Sequence, residues 1–308
     1  MSQTGTVHKP LPGLPFINVG LPKSGTTSLQ SFFACNGMRT AHHYVRDRET
    51  IKRALQGGYA VGGGNGSEVV YIGRAIHECS RRGQPLLSCV PGYDAYTQID
   101  LMGDHGATTD GHRCWQPQIS HLEAIVMDYP RGTFLLLTRD FESWYHSLVT
   151  YRRMDIRLAE CPIAELDFPI LKLKPPSSMA AALLDDPWKS RMRRFHSDVH
   201  ARARAILGRS GVRWEEIDLL SPGVEQQLAS LLSEARISNT LSLSGRVFQE
   251  RTWDQIAKCW GHKNTGAPYS YMSKSLFEQH EQGEAPGSEV SDIDADDDAD
   301  DDAEQGED

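Results

Sequence analysis

The segment GLPKSGTT at residues 20–27 has the composition and the position of an anion-binding loop. It follows an apolar run that starts at Phe16, and the segment itself leads into a helical pattern. In that arrangement, backbone N–H groups of the loop and of the helix N-terminus converge on an anion, and the glycines let the backbone approach it closely. Lys23 lies inside the loop, whereas the lysine of a nucleoside triphosphatase loop directly follows the second glycine. We also find no acidic strand end suited to Mg²⁺, so the segment predicts an anion site without a metal.

A second segment, TFLLLTRDFESWYHS at residues 133–147, ends an apolar strand pattern with Arg139 and continues into a helix that carries Ser147, eight residues further on. An arginine at the carboxyl end of a strand points into the crevice where open α/β sheets bind ligands. Its guanidinium offers a forked pair of donors for a phosphate, and the serine hydroxyl adds another donor. This segment therefore predicts a second phosphate contact.

Together, PKSGTTSL at residues 22–29 and RDFESWYHS at residues 139–147 resemble two motifs of the sulfotransferase family that uses 3′-phosphoadenosine-5′-phosphosulfate (PAPS) as its sulfuryl donor. The resemblance covers residues 14–152 well and residues 153–272 more thinly. It excludes the acidic C-terminal tail.

The resemblance implies which residues hold the donor. The loop binds the 5′-phosphosulfate, with Lys23 near the bridging oxygen, and Arg139 and Ser147 bind the 3′-phosphate. Phe141 replaces a proline that is usual in the family, and Ser28 replaces a common aromatic residue, but neither change removes a ligand-contacting group. The implied donor contacts are Lys23, Ser24, Gly25, Thr26, Thr27, Ser28, Arg139 and Ser147.

The resemblance also implies an activity, the transfer of the sulfuryl group of PAPS to a hydroxyl or amine of an acceptor without a metal. The expected acceptor is a carbohydrate or a small molecule, for example an anionic glycan or a small alcohol. Two other functions stay open: a non-catalytic nucleotide-binding or interaction module on the same fold and, disfavoured by the position of Lys23, a nucleotide or small-molecule kinase. We expect no nucleic-acid partner.

Transfer to a hydroxyl needs a group that accepts its proton, and the sequence offers two pairs of candidates. His42 and His43 follow a second strand pattern, and only one of two consecutive strand side chains can face the crevice. Asp94 and Asp100 follow the segment PLLSCV at residues 85–90, which we interpret as a third strand. A structural role for either histidine, and capping or turn formation for the aspartates, are the alternatives. Family members differ in their base, so the resemblance does not decide.

A basic segment near the C-terminus is a further candidate. CWGHKNTG at residues 259–266 follows a helical pattern, and sulfotransferases commonly close over the nucleotide with a basic, glycine-containing C-terminal loop. The resemblance thus implies that His262, Lys263 and Asn264 contact the donor. An ordinary surface loop is the alternative.

The formal net charge of −9 is concentrated in the tail, where residues 278–308 carry 15 acidic residues and no lysine or arginine. Without them, 26 acidic residues face 32 basic ones, so the remaining chain carries +6, which suits an anionic ligand. The tail repels itself and has little to bury, so we expect it to be disordered, either solubilising the protein or binding a basic protein partner. The predicted organisation is a flexible N-terminus (1–12), one sulfotransferase domain (13–272) and a disordered acidic tail (273–308).

Strand and helix patterns alternate along the predicted domain. They indicate an α/β fold, a single domain with a mostly parallel central sheet flanked by helices, of the P-loop-like sulfotransferase type. The dense apolar run at residues 133–138 is typical of a strand buried on both faces.

A long helix at residues 186–211 carries several arginines, which either form a solvated face or steer an anionic acceptor. Three aromatic residues either stack on an acceptor or pack in the core: Trp115, Trp144 and Tyr145.

Cysteine usage and hydropathy bear on the compartment. Six scattered cysteines without a CxxC pair indicate neither a zinc site nor a dense disulfide framework, so we expect mostly reduced thiols. The sequence has no apolar stretch of about 18 residues and no apolar signal core at its N-terminus. We therefore expect a soluble protein without a membrane span, cytoplasmic, or in the Golgi lumen if the N-terminus is incomplete.

Overall fold

The computed structural model describes residues 13–56, 69–102, 114–159, 161 and 176–239. In chain order, the strands there are β1 (Phe16–Asn18), β2 (Thr40–Ala41), β3 (Tyr44–Val45), β4 (Val70–Tyr71), β5 (Ala95–Tyr96), β6 (Leu101–Met102), β7 (Cys114–Trp115), β8 (Thr133–Thr138) and β9 (Arg213–Asp218). The helices are α1 (Thr26–Cys35), α2 (Arg48–Gln56), α3 (Ile72–Arg81), α4 (Pro117–Ser120), α5 (Leu122–Asp128), α6 (Phe141–Thr150), α7 (Met154–Ala159), α8 (Met179–Leu184), α9 (Asp186–Ser210) and α10 (Val224–Asn239).

Five of these strands form the central sheet. Their spatial order is β2-β5-β1-β8-β9, and every neighbouring pair is parallel. The longest pairing joins β8 to β9 and runs from Thr133 opposite Arg213 to Thr138 opposite Asp218. Outside this sheet, β3 pairs antiparallel with β4, and β6 with β7. The predicted α/β fold with a mostly parallel sheet is confirmed.

Alternating side chains along β8 divide the core into two layers. Phe134 and Leu136 pack with residues of α3, α5 and α9 on one face of the sheet. Leu135 and Leu137 pack with residues of α1 and α10 on the other face. The strand is therefore buried on both sides, as its apolar run predicts.

A third apolar cluster packs α6 against α7, α8 and the N-terminal half of α9. Trp144 and Tyr145 lie fully buried in this cluster, and Trp115 packs at the edge of the first layer. Of the two interpretations of these aromatic residues, the structure favours core packing over contact with an acceptor.

The strand predicted at residues 85–90 is wrong. Residues Leu86–Cys89 form a 3-10 helix that begins after Pro85, and their buried side chains join the layer that contains α3. An apolar run of this length does not by itself distinguish a strand from a buried helical turn. The third strand of the central sheet in chain order is β5 instead, and Asp94 directly precedes it.

The expectation of mostly reduced thiols is also wrong. Cys79 forms a disulfide with Cys89, Cys114 forms one with Cys161, and Cys35 is disulfide-bonded as well. The paired cysteines lie 10 and 47 residues apart in sequence, so no local motif reveals them. The first disulfide ties α3 to the 3-10 helix, and the second ties β7 to the chain that follows α7.

The long basic helix is α9, and acidic neighbours offset much of its charge. The ion pairs join Arg193 to Glu142, Arg194 to Asp198, Arg204 to Glu216 and Arg209 to Glu123. This pairing favours a solvated face over a surface that steers an anionic acceptor. Neither α9 nor any other helix of the described ranges combines the length and the apolar character needed to cross a membrane.

Candidate active site

Four of the parallel strands end at one edge of the sheet, and they bring the main candidates together there. β1 leads into the loop with Lys23, β2 leads to His42, β5 leads to residues 97–100, and β8 leads to Arg139. Residues that lie far apart in sequence therefore share this carboxyl edge.

Lys23 is held in a tight turn. Ser24 N donates a hydrogen bond to Leu21 O (3.3 Å), so Pro22 and Lys23 occupy the two central positions of the turn. A proline followed by a residue with positive φ is the pattern of a type II turn, and Lys23 has a φ of 67° where glycine is usual. Such strain costs on the order of 1–3 kcal/mol and is characteristic of functional sites. The turn thus places the lysine at the crest of the loop, before its second glycine.

The two glycines and a buried asparagine define the path of this loop. A Cβ atom on Gly20 would lie 2.5 Å from the Leu137 carbonyl oxygen, so only glycine lets the loop pass β8 this closely. Gly25 has a φ of 103° and precedes α1. Asn18 Nδ2 donates to Thr97 O (2.9 Å), and its Oδ1 accepts from Gly20 N (2.9 Å). This amide, which sequence reasoning misses, joins the loop to the end of β5.

The N-terminus of α1 has the features of an anion site. No side chain caps it and its first turn holds no acidic residue, so its N–H dipoles favour a negative charge. The buried Ser24 hydroxyl has no hydrogen-bond partner among the described residues, and an orphaned buried donor is costly unless a ligand satisfies it. Thr26 Oγ1 donates to Gln98 Oε1 (3.2 Å), whereas Thr27 is exposed and Ser28 half-buried. These groups could hold an anionic group.

Arg139 lies directly against the loop. Its Nη1 donates to Lys23 O (3.3 Å), and its buried Nε has no hydrogen-bond partner within the described ranges. Ser147 is half-buried on α6, which begins two residues after Arg139. On the same helix, Trp144 Nε1 donates to Pro22 O (2.9 Å). The fold thus joins the two predicted halves of the donor site, which lie 116 residues apart in sequence.

Further positive charge surrounds the Lys23 ammonium. Burial, together with the charges of Arg139 and Arg157, lowers its pKa to about 8. Its Nζ lies 3.7 Å from the centroid of the Tyr151 ring, which is a cation–π contact. Sequence reasoning misses Tyr151 and Arg157 because both follow the recognised motif and only the turn between α6 and α7 brings them to the loop.

His42 faces the same loop. Its Nδ1 lies 3.0 Å from Thr97 Oγ1, and its Nε2 lies 3.5 Å from Thr27 Oγ1. Thr97 Oγ1 is in turn within donating distance of Ala41 O (3.2 Å). Burial and neighbouring positive charge lower the pKa of His42 to about 3, so its imidazole is neutral at physiological pH.

His43 has different surroundings. Its ring centroid lies 4.9 Å from that of Tyr44 and 5.8 Å from that of Tyr71, so it packs in an aromatic cluster. Of the two consecutive histidines, His42 therefore contacts the loop and His43 contacts the β3–β4 pair.

The two candidate aspartates lie at opposite ends of β5. Asp94 precedes the strand, and its Oδ2 accepts from Arg39 N (2.8 Å), so its expected place at the crevice is wrong. The error follows from the strand predicted at residues 85–90. Asp100 does follow β5, but it is buried, and its carboxylate accepts from Gln98 (2.9 Å) and Gln118 (3.5 Å). Burial raises the pKa of Asp100 to about 6.

Some candidates lie outside the described residues: His262, Lys263 and Asn264. Their contact with the donor stays a prediction, as do the flexible N-terminus and the disordered tail. In the part of the chain that the structure describes, no three or more His, Cys, Asp or Glu side chains are grouped so that they could hold a metal ion.

Comparison with known proteins bears on the family. A family model described as "Sulfotransferase domain" matches residues 16–208, from the start of β1 to near the end of α9. A search of curated proteins finds no match. Because the matched segment is well over half of the 308-residue chain, the protein belongs to the sulfotransferase family.

Proposed function

We propose that this protein moves the sulfuryl group of PAPS to a hydroxyl or amine of an acceptor. The observation that carries the proposal is the contact between Arg139 and the Lys23 loop at the carboxyl edge of the sheet. A donor with an anionic group at both its 5′ and 3′ ends needs two neighbouring anion sites, and this contact supports the proposal because it brings the two candidate sites next to each other. Membership of the sulfotransferase family supports sulfuryl transfer as the reaction.

Each half of the donor has its own groups in this proposal. The buried Ser24 hydroxyl, the N-terminus of α1 and Lys23 hold the 5′-phosphosulfate. Arg139 and Ser147 hold the 3′-phosphate, and the buried Nε of Arg139 is a charge-assisted donor for it. The remaining predicted contacts, Gly25, Thr26, Thr27 and Ser28, belong to the first turn of α1 or directly precede it.

The chemical role of Lys23 follows from the position at which negative charge develops in the transition state of sulfuryl transfer. By analogy with phosphoryl transfer, the transition state is loose and the leaving oxygen gains negative charge. An ammonium aimed at that oxygen stabilises the charge without a metal, because a sulfuryl group carries less charge than a terminal phosphoryl group. The cationic surroundings of Lys23 act in the same direction.

His42 is the proton acceptor that the geometry supports best. A threonine hydroxyl has one proton, and only one arrangement satisfies both contacts of Thr97 Oγ1: the hydroxyl donates to Ala41 O and accepts from His42 Nδ1–H. The other ring nitrogen, Nε2, then carries the lone pair and faces the loop at Thr27. The lone pair of this imidazole has a fixed direction, and the negative charge of a bound donor beside it would raise its low pKa toward the operating pH, where a general base is most effective.

Asp100 is the rival base, and its contacts argue against that role. Both carboxylate oxygens accept hydrogen bonds from side-chain amides inside the protein. Gln98 in turn accepts from Thr26, so this network supports the start of α1. We therefore assign Asp100 to holding the loop, and His42 to accepting the proton.

For the acceptor we propose only a chemical class, and for the C-terminal segment with His262 and Lys263 we propose a contact with the nucleotide. The acceptor is a carbohydrate or a small alcohol, and the ion pairs along α9 remove the main argument for a strongly anionic glycan. His262 and Lys263 close over the nucleotide, as in other sulfotransferases. The sulfotransferase domain spans residues 13–272, and the acidic tail (273–308) lies outside the catalytic part.

The disulfides bear on where the protein works. Cys79–Cys89 and Cys114–Cys161 favour an oxidising compartment, such as the Golgi lumen, over the cytosol, where thiols are kept reduced. Thiol counting under denaturing conditions on the protein purified from its own cells tests this. Fully reduced cysteines would contradict it.

The direct test is transfer itself. PAPS labelled in its sulfuryl group is incubated with panels of sugars and small alcohols, and labelled product is measured. In parallel, calorimetric titrations compare 3′-phosphoadenosine-5′-phosphate (PAP) with ATP, each with and without Mg²⁺. Transfer together with PAP binding supports the proposal. PAP binding without transfer to any acceptor favours the non-catalytic module, and Mg²⁺-dependent ATP binding favours a kinase.

A further inference from the structure

The backbone of Lys23 is strained, and two side chains of one neighbouring segment hold it. Lys23 adopts a φ of 67°, in the left-handed region that non-glycine residues rarely occupy. Such a conformation persists only where the surrounding structure restrains it. The restraints here come from the strand end and the helix that carry the proposed 3′-phosphate contacts.

The two restraints act on the two peptide groups that flank the Lys23 α-carbon. Trp144 Nε1 donates to the carbonyl of Pro22 (2.9 Å), on the N-terminal side. Arg139 Nη1 donates to the carbonyl of Lys23 itself (3.3 Å), on the C-terminal side. Rotation about φ or ψ of Lys23 would break one of these hydrogen bonds, so together they fix its backbone.

Trp144 is well suited to act as a fixed anchor. Its side chain is fully buried, and its ring packs 4.8 Å from the His196 ring and 6.1 Å from the Phe141 ring, measured between centroids. It lies on α6 between Arg139 and Ser147 in sequence, so the indole and the 3′-phosphate contacts belong to one segment.

We propose that Trp144 is a positioning residue that, with Arg139, sets the backbone of Lys23, so that binding of a 3′-phosphate fixes the place of the Lys23 ammonium. The 3′-phosphate then contributes to the rate of transfer as well as to donor affinity. The reaction part rests on the proposed function, whereas the restraint on the loop does not.

The test is Trp144→Phe, which keeps a buried aromatic ring but removes the N–H group together with the rest of the pyrrole ring. We expect kcat with PAPS to fall about 10- to 100-fold, because small misplacements of a reacting group are costly. PAP affinity should change by less than about threefold. The ratio of kcat for PAPS to kcat for adenosine 5′-phosphosulfate, which lacks the 3′-phosphate, should shrink. Hydrogen exchange at the Ser24 amide should become faster.

Tyr145→Phe is the matched control. Tyr145 neighbours Trp144 on α6, is also fully buried, and donates to a backbone carbonyl, that of Ala182 (2.7 Å), away from the loop. We expect Tyr145→Phe to leave three quantities unchanged: kcat with PAPS, the ratio of kcat for PAPS to kcat for adenosine 5′-phosphosulfate, and the rate of hydrogen exchange at the Ser24 amide. Equal losses in both variants would overturn the proposal, as would wild-type kcat and exchange in Trp144→Phe.

Two additions keep the test decisive. If Trp144→Phe does not fold, β-(3-benzothienyl)alanine inserted at this position removes the N–H while keeping the indole shape, with the same expectations. If the wild-type protein transfers no sulfuryl group, the proposed function fails, and Ser24 exchange in the variants still decides whether the indole restrains the loop.

Discussion

The donor side and the proton-accepting side of the candidate site are built in different ways. The donor side consists of two contiguous segments, the loop at residues 20–27 and the segment at residues 139–147, joined by hydrogen bonds to loop carbonyls. The proton-accepting side is assembled from single side chains at the ends of β2 and β5, His42 and Thr97. The difference explains why the candidate donor residues can be proposed from sequence segments, whereas His42 is proposed as the base only from the hydrogen bonds of the folded chain.

The largest effect is expected on the proton-accepting side. His42→Asn should lower kcat by about 10²- to 10⁴-fold, the usual contribution of a positioned general base. PAP affinity should change by less than about threefold, because the donor contacts stay intact. The measurements are steady-state rates with an accepted substrate and calorimetric titration with PAP.

Two variants sharpen that result. His43→Asn serves as the matched control, since its ring packs against Tyr44 and Tyr71 and should matter little for transfer. Asp100→Asn keeps the size of the side chain and should leave kcat within about tenfold of wild type. A loss in Asp100→Asn larger than that in His42→Asn would move the base to the buried aspartate.

On the donor side, Lys23→Ala should raise the barrier by about 2–4 kcal/mol, or roughly 30- to 1,000-fold in kcat, because its charge acts mainly in the transition state. PAP affinity should fall much less than kcat. Lys52→Ala, which removes an exposed lysine on α2, is the control and should behave as wild type. Near-normal turnover in Lys23→Ala would remove this residue from the mechanism.

The sequence predicts more of the donor side than of the rest, for physical reasons. Gly20 and Gly25 are required by a close approach and a positive φ, so the loop leaves a local signature. The spacing of Arg139 and Ser147 is likewise fixed by one strand end and one helix. These constraints act over a few residues, which is why contiguous segments reveal them.

The failures of prediction involve contacts between distant residues. Asn18 looks like an ordinary strand residue until its amide is seen to join β1 to β5. Asp94 is misplaced because a short apolar run is a 3-10 helix and not a strand. The disulfide between Cys114 and Cys161 depends on packing across 47 residues. No local pattern encodes such contacts, so composition and spacing cannot supply them.

The 3′-phosphate contact offers a smaller but more selective test. Arg139→Ala should lower the affinity for PAP by about ten- to hundredfold, since a charge-assisted contact contributes roughly 1.5–3 kcal/mol to binding. The affinity for adenosine 5′-phosphate, which lacks the 3′-phosphate, should hardly change. Ser147→Ala should show the same selectivity with a loss of about 1 kcal/mol. Because Arg139 also holds the Lys23 carbonyl, kcat should fall as well. Equal weakening of the two nucleotides in a folded variant would break the assignment of the 3′-phosphate site.

The last expected effect is a pH dependence confined to the donor side. Burial, Arg139 and Arg157 lower the pKa of Lys23 to about 8 in the free protein, and a bound anion raises it again. Below pH 8 the lysine is charged both in the free protein and in the complex with PAP, so the affinity for PAP should not depend on its titration. Above pH 8 binding must take up a proton, so PAP affinity should fall, by about tenfold at pH 9 relative to pH 7. Calorimetry in buffers of different ionisation enthalpy measures the uptake directly, and Lys23→Arg, which stays charged, should abolish it. Proton uptake that persists in Lys23→Arg would assign the titration to another group.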